Sequence, residues 1–526
     1  MYEIEEQTTE AFSIVESKKN KLPIPGSPEE AAYFKKIQET LKDQFEKAFP
    51  DVLAPKTVVI VPSLTLDQEI LAKVNGVVYY EERLLCLLML LRMPRTHVVF
   101  ITSTTIDPVI IDYYLHLLPG ITGYHAKQRL TMLSCYDASS RSLTEKILER
   151  PRLIERIKKS IPSDHAAHMA CFNVTPYERS LAVQLGIPIF GCDPDLLDLG
   201  TKSSSRKIFR ECGLLLPDGF EDLHTKDDIV NALMELKKQN PAIRKAVVKM
   251  NDGFSGEGNG IFSYAGIDEQ TDQKQWIHDE LKHKLKIVAD ELNYKTFLQK
   301  FQQMGGIVEA FVEGDIKESP SVQCRIDPDG MCRVFSTHDQ LLGGEGGQVF
   351  LGAYFPAHPS YAVAMAQMGK KVAEALQKRG VLGRFAVDFI SVKENDGWKH
   401  YAIEINLRKG GTTHPLLMLQ FLTDGKYDAE QGLYYTANGQ VRYYFCSDNL
   451  KSEKYKGLTP HDLIDIAMVN DLHYDGTSQE GVMFHLIGAL SQFGKLGVIC
   501  VGSSAERSKM YYDKIVAVLN KEGRQI

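Results

Sequence analysis

The sequence of 526 residues has little that would anchor it in a membrane or cross-link it. Its longest apolar run, residues 84–91, is far shorter than the roughly 20 residues that span a bilayer, and predicts a buried helix. The nine cysteines occur singly and form no C-x-x-C pair, which argues against disulfide or zinc frameworks. The first 30 residues lack a basic start followed by an apolar stretch, so we expect a cytoplasmic protein.

A large excess of one charge is also absent. Lys and Arg number 61 against 68 Asp and Glu, a formal net charge of -7, so we expect neither nucleic acid nor a membrane as a partner. None of the early apolar runs is followed by G-x-G-x-x-G, which argues against NAD. The glycine-rich stretch at residues 251–260 lacks the P-loop spacing.

What the sequence does contain is an alternation of short apolar runs and helical segments. Residues 1–52 predict a flexible arm and one docked helix from about residue 28 to 49. Between residues 53 and 198 the alternation predicts a Rossmann-like domain, a parallel sheet with covering helices. Its expected strands are residues 57–62, 98–102, 129–133, 168–173 and 187–190.

Two later segments suit an anion. Residues 200–207 place Lys202 and several hydroxyls at the start of a helix. The strand at residues 246–250 carries Lys249 into the glycine-rich stretch, whose backbone N–H groups can approach phosphates closely. Taken singly, a solvated helix end and an ordinary glycine turn remain alternatives for these segments.

The most informative pattern is a pair of strands at residues 385–392 and 400–408. A strand period of two puts four polar side chains on one face: Asp388, Glu404, Asn406 and Arg408. The other face is expected to hold Phe385, Val387, Phe389, Tyr401, Ile403, Ile405 and Leu407.

The turn between these strands sets their register. A three-residue turn ending in Gly397 places Asp388 directly opposite Glu404. Facing carboxylates repel unless a cation lies between them, so Asp388, Glu404 and Asn406 predict a Mg²⁺ site, with a solvated sheet face as the alternative. Arg408 is a candidate donor to a phosphoryl or carboxylate oxygen, and a structural salt bridge is its alternative.

In this order, residues 200–202, 248–249, 308–312, 387–389 and 404–408 resemble the ATP-grasp superfamily. Residues 335–340, 343–344, 404–414, 481–486 and 494–497 further resemble peptide ligases of the pheganomycin type. The resemblance implies an α/β and α+β multidomain chain. Its parts would be a Rossmann-like pre-ATP-grasp domain at 53–198, an ATP-grasp domain at 199–425 and a small α+β appendage at 426–526. The appendage would complete the cleft or mediate a homodimer.

The same resemblance implies roles for single residues. Lys202 and Lys249 would hold ATP phosphates beneath a loop that includes Gly253, Ser255, Gly256 and Gly258. Glu309, with the backbone of Ala310 and Val312, would bind adenine, and Glu318 or Asp315 the ribose. Asp388, Glu404 and Asn406 would hold Mg²⁺, or Mn²⁺, while Arg408 and Lys249 steady the transferring phosphoryl group. His338, with Asp339, Gln340 or His414, would orient the acceptor.

The implied activity is an ATP-dependent carboxylate–amine ligase. A small carboxylate would attack ATP to give an acyl phosphate and ADP, and an amine or peptide would then displace phosphate to form an amide. The glycine-rich loop and residues 343–347 would act as lids. The alternatives are a phosphotransferase or carboxylase on the same fold, or a non-catalytic ATP-binding scaffold. Biotin carboxylation would call for a carrier partner, and no carrier-like segment is visible in this sequence.

Overall fold

A computed structural model describes residues 22–65, 71, 75–253, 258–267, 272–288, 292–343 and 349–523 of the chain. Three sheets organise these residues: a parallel sheet near the start, a five-stranded antiparallel sheet, and a nine-stranded antiparallel sheet that runs into the C-terminal region. The described residues also contain a separate two-stranded antiparallel sheet. The mixed α/β and α+β architecture expected from the sequence is confirmed.

The first domain has a four-stranded parallel sheet in the order β3-β2-β1-β4. The fifth expected strand, residues 187–190, is reduced to one parallel bridge between Met169 and Ile189. Pro188 lies in this run and has no backbone N–H to continue a ladder. The elements are α1 (Pro28–Lys47), β1 (Lys56–Val61), a long 3-10 helix (Val77–Arg92), β2 (Thr96–Thr102), α2 (Pro108–His116), α3 (Gly123–Lys127), β3 (Leu130–Ser134), α4 (Leu143–Leu148), α5 (Pro151–Lys159), β4 (Ala166–Cys171) and α6 (Pro176–Leu185).

The second unit, which we call the small lobe, is the five-stranded sheet in the order β5-β9-β6-β7-β8 with its helices. Its buried residues, among them Leu233, Phe262 and Phe301, form a hydrophobic core of their own. A 3-10 helix (Pro194–Gly200) and α7 (Lys202–Glu211) lead into it. The lobe consists of β5 (Gly219–Leu223), α8 (Lys226–Gln239), β6 (Lys245–Met250), β7 (Asn259–Ser263), α9 (Gln273–Lys284), β8 (Leu285–Ile287), α10 (Tyr294–Met304) and β9 (Gly306–Ala310).

The large sheet has the order β10-β14-β11-β12-β13-β18-β20-β19, with β15 paired to β14. The C-terminal α+β segment is therefore continuous with the sheet that precedes it. The elements are β10 (Lys317–Glu318), β11 (Pro320–Ile326), β12 (Cys332–Gly343), β13 (Val349–Phe355), α11 (Ala362–Gln377), β14 (Gly383–Glu394), β15 (Gly397–Asn406), α12 (Thr413–Thr423), β16 (Lys426–Asp428), β17 (Leu433–Tyr435), β18 (Tyr443–Lys451), a 3-10 helix (Glu453–Tyr455), α13 (Pro460–Val469), β19 (Gly481–His485), a 3-10 helix (Ile487–Ala489), α14 (Leu490–Phe493), β20 (Lys495–Gly502) and α15 (Ala505–Glu522).

One hydrophobic core joins the first domain to the C-terminal strands. It contains Phe100 of β2, Leu416 of α12 and Val498 of β20, together with most of the apolar run at residues 84–91. That run is buried as expected, but it lies within the long 3-10 helix. The helix is thus held between two distant parts of the chain.

The cysteines and the apolar helices are features for which the sequence led to expectations. All nine cysteines lie in the described part of the chain, and all are free thiols. Within the same part, no helix is both long and apolar enough to cross a membrane.

We predict that Gly306→Ala destabilises the protein by about 1–3 kcal/mol, the usual cost of overpacking. A Cβ at the start of β9 would lie 2.3 Å from the Lys249 carbonyl oxygen and 2.3 Å from a ring carbon of Phe301. Thermal unfolding should therefore show a lower midpoint. Gly476→Ala is the control, because nothing lies within 4 Å of a Cβ there. Equal midpoints for the two variants would contradict the close packing of β9 on β6.

Candidate active site

A cavity of about 460 Å³ lies between the small lobe and the large sheet. Most of the residues singled out in the sequence line it: Lys202, Lys249, Gly253, Gly258, Glu309, Ala310, Val312, Asp388, Glu404, Asn406 and Arg408. Ser255 and Gly256 lie outside the described residues. Segments more than 200 residues apart in sequence thus converge on one cleft.

The acidic pair lies on the hairpin of β14 and β15, where Asp388 pairs directly with Glu404. The predicted register is correct, but the predicted turn is wrong. Glu394 pairs with Gly397, so the turn has two residues, and a shift between Asp388 and Phe389 restores the alignment. A β-bulge of this kind places two residues opposite one and re-aims the side chains beyond it.

The bulge also changes which side chains face the core. Ala402 packs in the core with Phe389, Ile405 and Leu407. Tyr401 and Ile403 were expected there, yet both are partly exposed, and Ile403 lines the cavity. Strict alternation fails because the extra residue reverses the faces on the turn side of the bulge.

Asp388 is held by two amide groups. The Gln340 Nε2 donates to its Oδ1 at 3.0 Å, and the Asn406 Nδ2 donates to its Oδ2 at 2.9 Å. Burial, followed by the nearby charge of Glu404, raises the pKa of Asp388 to about 6. Both effects disfavour a second negative charge beside Glu404.

The pKa of Glu404 is shifted in the opposite direction from that of Asp388. Burial by itself raises the pKa of this carboxyl, but the charges of Lys202, Lys249 and Arg408 outweigh it and hold the pKa below its ordinary value. The Lys202 Nζ lies 2.8 Å from the Glu404 Oε1. Asp388, Glu404 and Asn406 therefore present oxygen atoms, crowded negative charge and nearby cations, which fits a divalent cation that also meets phosphates.

Local structure explains why Lys202 reaches this point. Thr201 is the N-cap of α7, and its hydroxyl accepts from the Ser204 N–H. The Lys202 N–H donates to the Asn251 carbonyl at 3.2 Å, and the Ser203 N–H donates to the Asn251 side chain at 3.0 Å. The start of α7 is thereby fixed to the end of β6, the strand that carries Lys249.

Lys249 and Glu309 form a buried ion pair. The Lys249 Nζ lies 2.6 Å from the Glu309 Oε1, and the Arg206 Nη1 donates to the Oε2 at 2.9 Å. Strand β9 lies between β5 and β6, so Glu309 is not on a sheet edge. Both oxygens of Glu309 thus meet cations, and its expected contact with an adenine amine stays a prediction.

The wall near Ala310 and Val312 is largely apolar. Phe311, Phe389, Ile390 and Ile403 line it, and the Lys317 Nζ lies 4.7 Å from the centre of the Phe311 ring. Such a wall suits a flat aromatic ligand. Lys317 and Ser319 reach the cavity, whereas the exposed Glu318 between them and the exposed Asp315 are not among its lining residues. The geometry therefore does not favour either acid for the ribose.

His338 is not among the residues that line the cavity, so the geometry gives no support to its expected role in orienting the acceptor. Its side chain is fully buried, and its Nε2 lies 2.6 Å from the Tyr444 hydroxyl. Burial lowers the pKa of His338 to about 3. Tyr444 and the neighbouring Phe355 ring belong to the core that covers this part of the sheet.

Of the other residues expected to orient an acceptor, Gln340 lines the cavity, and Asp339 and His414 do not. Gln340 lines the cavity and contacts Asp388. Asp339 accepts from the His358 N–H at 2.7 Å and from the Tyr361 hydroxyl at 2.8 Å, outside the cavity lining. His414 is buried in α12, beside Asp448.

Sequence reasoning missed one part of the cavity. That part is lined by Tyr80, Arg83, Phe172, Asp448 and Lys495; Lys495 lies in the motif at residues 494–497, but none of the five was predicted to be a site residue. The run Tyr80-Glu-Glu-Arg83 places four polar or charged side chains immediately before the longest apolar stretch. Charged residues directly next to a long apolar run, together with the motif at residues 494–497, were the signals available in the sequence.

Comparison with known families and proteins agrees with this geometry. The family model described as IQCH-like, ATP-grasp matches residues 197–291 and 270–430, and the PGM1 C-terminal domain matches residues 462–515. The chain is 28% identical over 476 residues, 88% of its length and 94% of the relative's, to the L-propargylglycine--L-glutamate ligase of Streptantibioticus cattleyicolor. It is 24% identical over 414 residues to the IQ motif-containing protein H of Danio rerio, covering 70% of this chain but only 39% of that protein.

Solved structures with the same fold include several ATP-dependent enzymes. The chain superimposes on an N5-carboxyaminoimidazole ribonucleotide synthetase in complex with ADP, with a TM-score of 0.51, 13% identity and coverage of 89% of this chain and 98% of that one. A biotin carboxylase from Campylobacter jejuni gives a TM-score of 0.52 at 11% identity, with 88% and 95% coverage. The family model thus identifies an ATP-grasp domain within residues 197–430, the region that bears most of the cavity, and the similarity in fold and sequence extends along most of the chain.

Proposed function

We propose that the protein is an ATP-dependent carboxylate–amine ligase that forms an amide or peptide bond through an acyl phosphate. One observation carries the proposal: the Asp388–Glu404 pair shares a cleft with Lys202 and Lys249, two buried lysines. The named activity of the Streptantibioticus cattleyicolor relative, a ligase that joins two amino acids, supports the same reaction class.

The described residues fit ATP and a divalent cation. The apolar wall around Phe311 suits a base, and the two buried lysines suit phosphates. Asp388, Glu404 and Asn406 would hold Mg²⁺, which supplies positive charge to the phosphate oxygens when bound. Lys202 and Lys249 form ion pairs with Glu404 and Glu309, respectively. Phosphates would therefore compete with carboxylates for the same ammonium groups.

The proposed reaction has two steps, phosphoryl transfer to a carboxylate and attack of an amine on the acyl phosphate. A substrate carboxylate oxygen attacks the γ-phosphorus of ATP, the bond to the β,γ-bridging oxygen breaks, and ADP leaves with an acyl phosphate formed. Lys249, Lys202 and Arg408 would neutralise charge on the transferring phosphoryl group, which is the main catalytic requirement of such transfers. An amine then attacks the acyl carbon and loses a proton, and inorganic phosphate leaves. The sheets on either side of the cleft would limit access of water to the acyl phosphate.

The direct test is incubation with ATP, Mg²⁺, pooled amino acids including L-propargylglycine, and hydroxylamine, followed by mass spectrometry. Hydroxamates together with ADP support an acyl phosphate. If ADP forms only when bicarbonate is added, the function would be that of a carboxylase and not of a ligase. ADP with a phosphorylated product but no hydroxamate indicates a phosphotransferase, and no ADP at all indicates a binding scaffold.

Glu404→Gln should lower ATP-dependent hydroxamate formation by on the order of 100-fold, because it removes a charge placed for the transition state. The rate of ADP release measures the loss. Glu394→Gln is the matched control, since Glu394 lies on the same hairpin but is exposed and does not line the cavity. Equal activity in the two variants would argue against the metal site.

Lys202→Met and Lys249→Met should each raise the KM for ATP by about 10- to 100-fold, the usual effect of losing a hydrogen bond from a charged donor. Initial rates at varied ATP concentration provide the measurement. Lys207→Met removes the same charge from α7, but Lys207 is half exposed and pairs with Asp222 at 2.6 Å. A KM that rises as much for Lys207→Met would point to general charge loss and not to phosphate contacts.

A further inference from the structure

One part of the cavity lining is not used by the proposed reaction. Its charged side chains are Arg83 from the long 3-10 helix, Asp448 from β18 and Lys495 from β20. Tyr80, Phe172 and Phe350 line the same region. We call this region, defined by Tyr80, Arg83, Asp448 and Lys495, the basic end of the cleft.

The charges of the basic end do not cancel. The Arg83 Nη2 donates to the Asp448 Oδ2 at 2.6 Å, which pairs one cation with one anion. The Lys495 Nζ lies 2.7 Å from the Tyr80 hydroxyl, and no described carboxylate lies within ion-pair distance of it. The region therefore carries one positive charge more than negative charge.

Arg83 also retains hydrogen-bonding capacity. Its side chain is 8% exposed, and its Nε has no hydrogen-bond partner among the described residues. The guanidinium lies 4.3 Å from the centre of the Tyr80 ring, which fixes its plane next to Lys495. A guanidinium carries five N–H donors, and the bond to Asp448 uses only one of its nitrogens, so Arg83 can donate to an anion in the cavity that it lines.

Two histidines hold the partner of Arg83 in place. The His485 Nε2 lies 2.7 Å, and the His414 Nε2 3.3 Å, from the Asp448 Oδ1. These three side chains are close enough to hold a metal ion. The other oxygen of Asp448, however, already accepts from the positively charged Arg83 guanidinium, which balances the charge of this carboxylate. We therefore interpret the histidines as residues that position Asp448, which in turn positions Arg83.

We propose that the basic end binds the carboxylate of the acceptor amino acid, a carboxylate that does not react. This inference rests on the proposed ligase function. Lys495 supplies the positive charge and Arg83 the further N–H donors that such a group needs, and both side chains line the cavity. Phe172 and Phe350 provide an apolar surface for the acceptor's side chain.

The proposed carboxylate and the one that reacts would contact different cations. Arg408 is within electrostatic reach of Asp388, Glu404 and Arg83. The reacting carboxylate must meet the γ-phosphate near the acidic pair. A carboxylate bound by Lys495 and Arg83 would be held by cations other than those that pair with Glu404 and Glu309, and it would set the direction from which the amine approaches.

The test compares an acceptor amino acid with its carboxamide, which has the same shape but no negative charge. The wild-type protein should prefer the free acid by about tenfold or more in kcat/KM, and Lys495→Met should raise the KM for the acid about tenfold and abolish this preference. Lys451→Met is the matched control. Lys451 pairs with Lys495 across the β18–β20 ladder, but it is exposed and does not line the cavity.

The outcomes separate the two proposals. A wild-type protein that forms hydroxamates and amides but accepts acid and carboxamide equally well would overturn the carboxylate subsite and leave the ligase intact. The same loss of preference in Lys451→Met and Lys495→Met would also overturn it, because the effect would then be a general change in charge. Absence of any hydroxamate or amide would overturn the ligase, and the subsite with it.

Discussion

The opposition of Asp388 and Glu404 on paired strands is the constraint around which the rest of the site is arranged. Two partly buried carboxylates in direct register destabilise one another, and nearby cations offset this repulsion. The chain does so from another element: Lys202 at the start of α7 pairs with Glu404. Lys249 contributes in turn only because Asn251 fixes the end of β6 to that helix. The repulsion between two acids thus determines where the small lobe must close on the large sheet.

The sequence contained enough to predict the main elements of this site. Alternating apolar residues identified both strands of the hairpin, and carboxylates at matching positions pointed to a cation. The register of Asp388 and Glu404 was predicted correctly although the turn was not, because a bulge offsets the shorter turn. A bulge leaves no mark in an apolar pattern that a single sequence reveals, so the faces of Tyr401 and Ile403 were predicted wrongly.

What the sequence could not supply was contact between remote segments. His338 looked like a reactive group, yet it is buried against Tyr444, more than 100 residues later in the chain. Arg83 belongs to a stretch that local pattern assigns to a core, and its role depends on Asp448 in another region. Pro188 can be read from the sequence. Whether residues 187–190 form a strand, however, depends on how many backbone hydrogen bonds they make with β4, and the structure shows a single bridge. Each case was decided by tertiary packing and not by local propensity.

The small lobe has a hydrophobic core of its own, separate from the core beneath β14 and β15. Contacts between the two bodies near the cleft include the Lys249–Glu309–Arg206 network and the Asn251 hydrogen bonds. Charged and polar contacts reorganise at far smaller cost than interlocked methyl groups, because water and ligands can replace their partners. Nucleotide phosphates would therefore replace the Glu404 and Glu309 carboxylates as partners of Lys202 and Lys249, and polar contacts at this boundary could be exchanged while both hydrophobic cores stay intact.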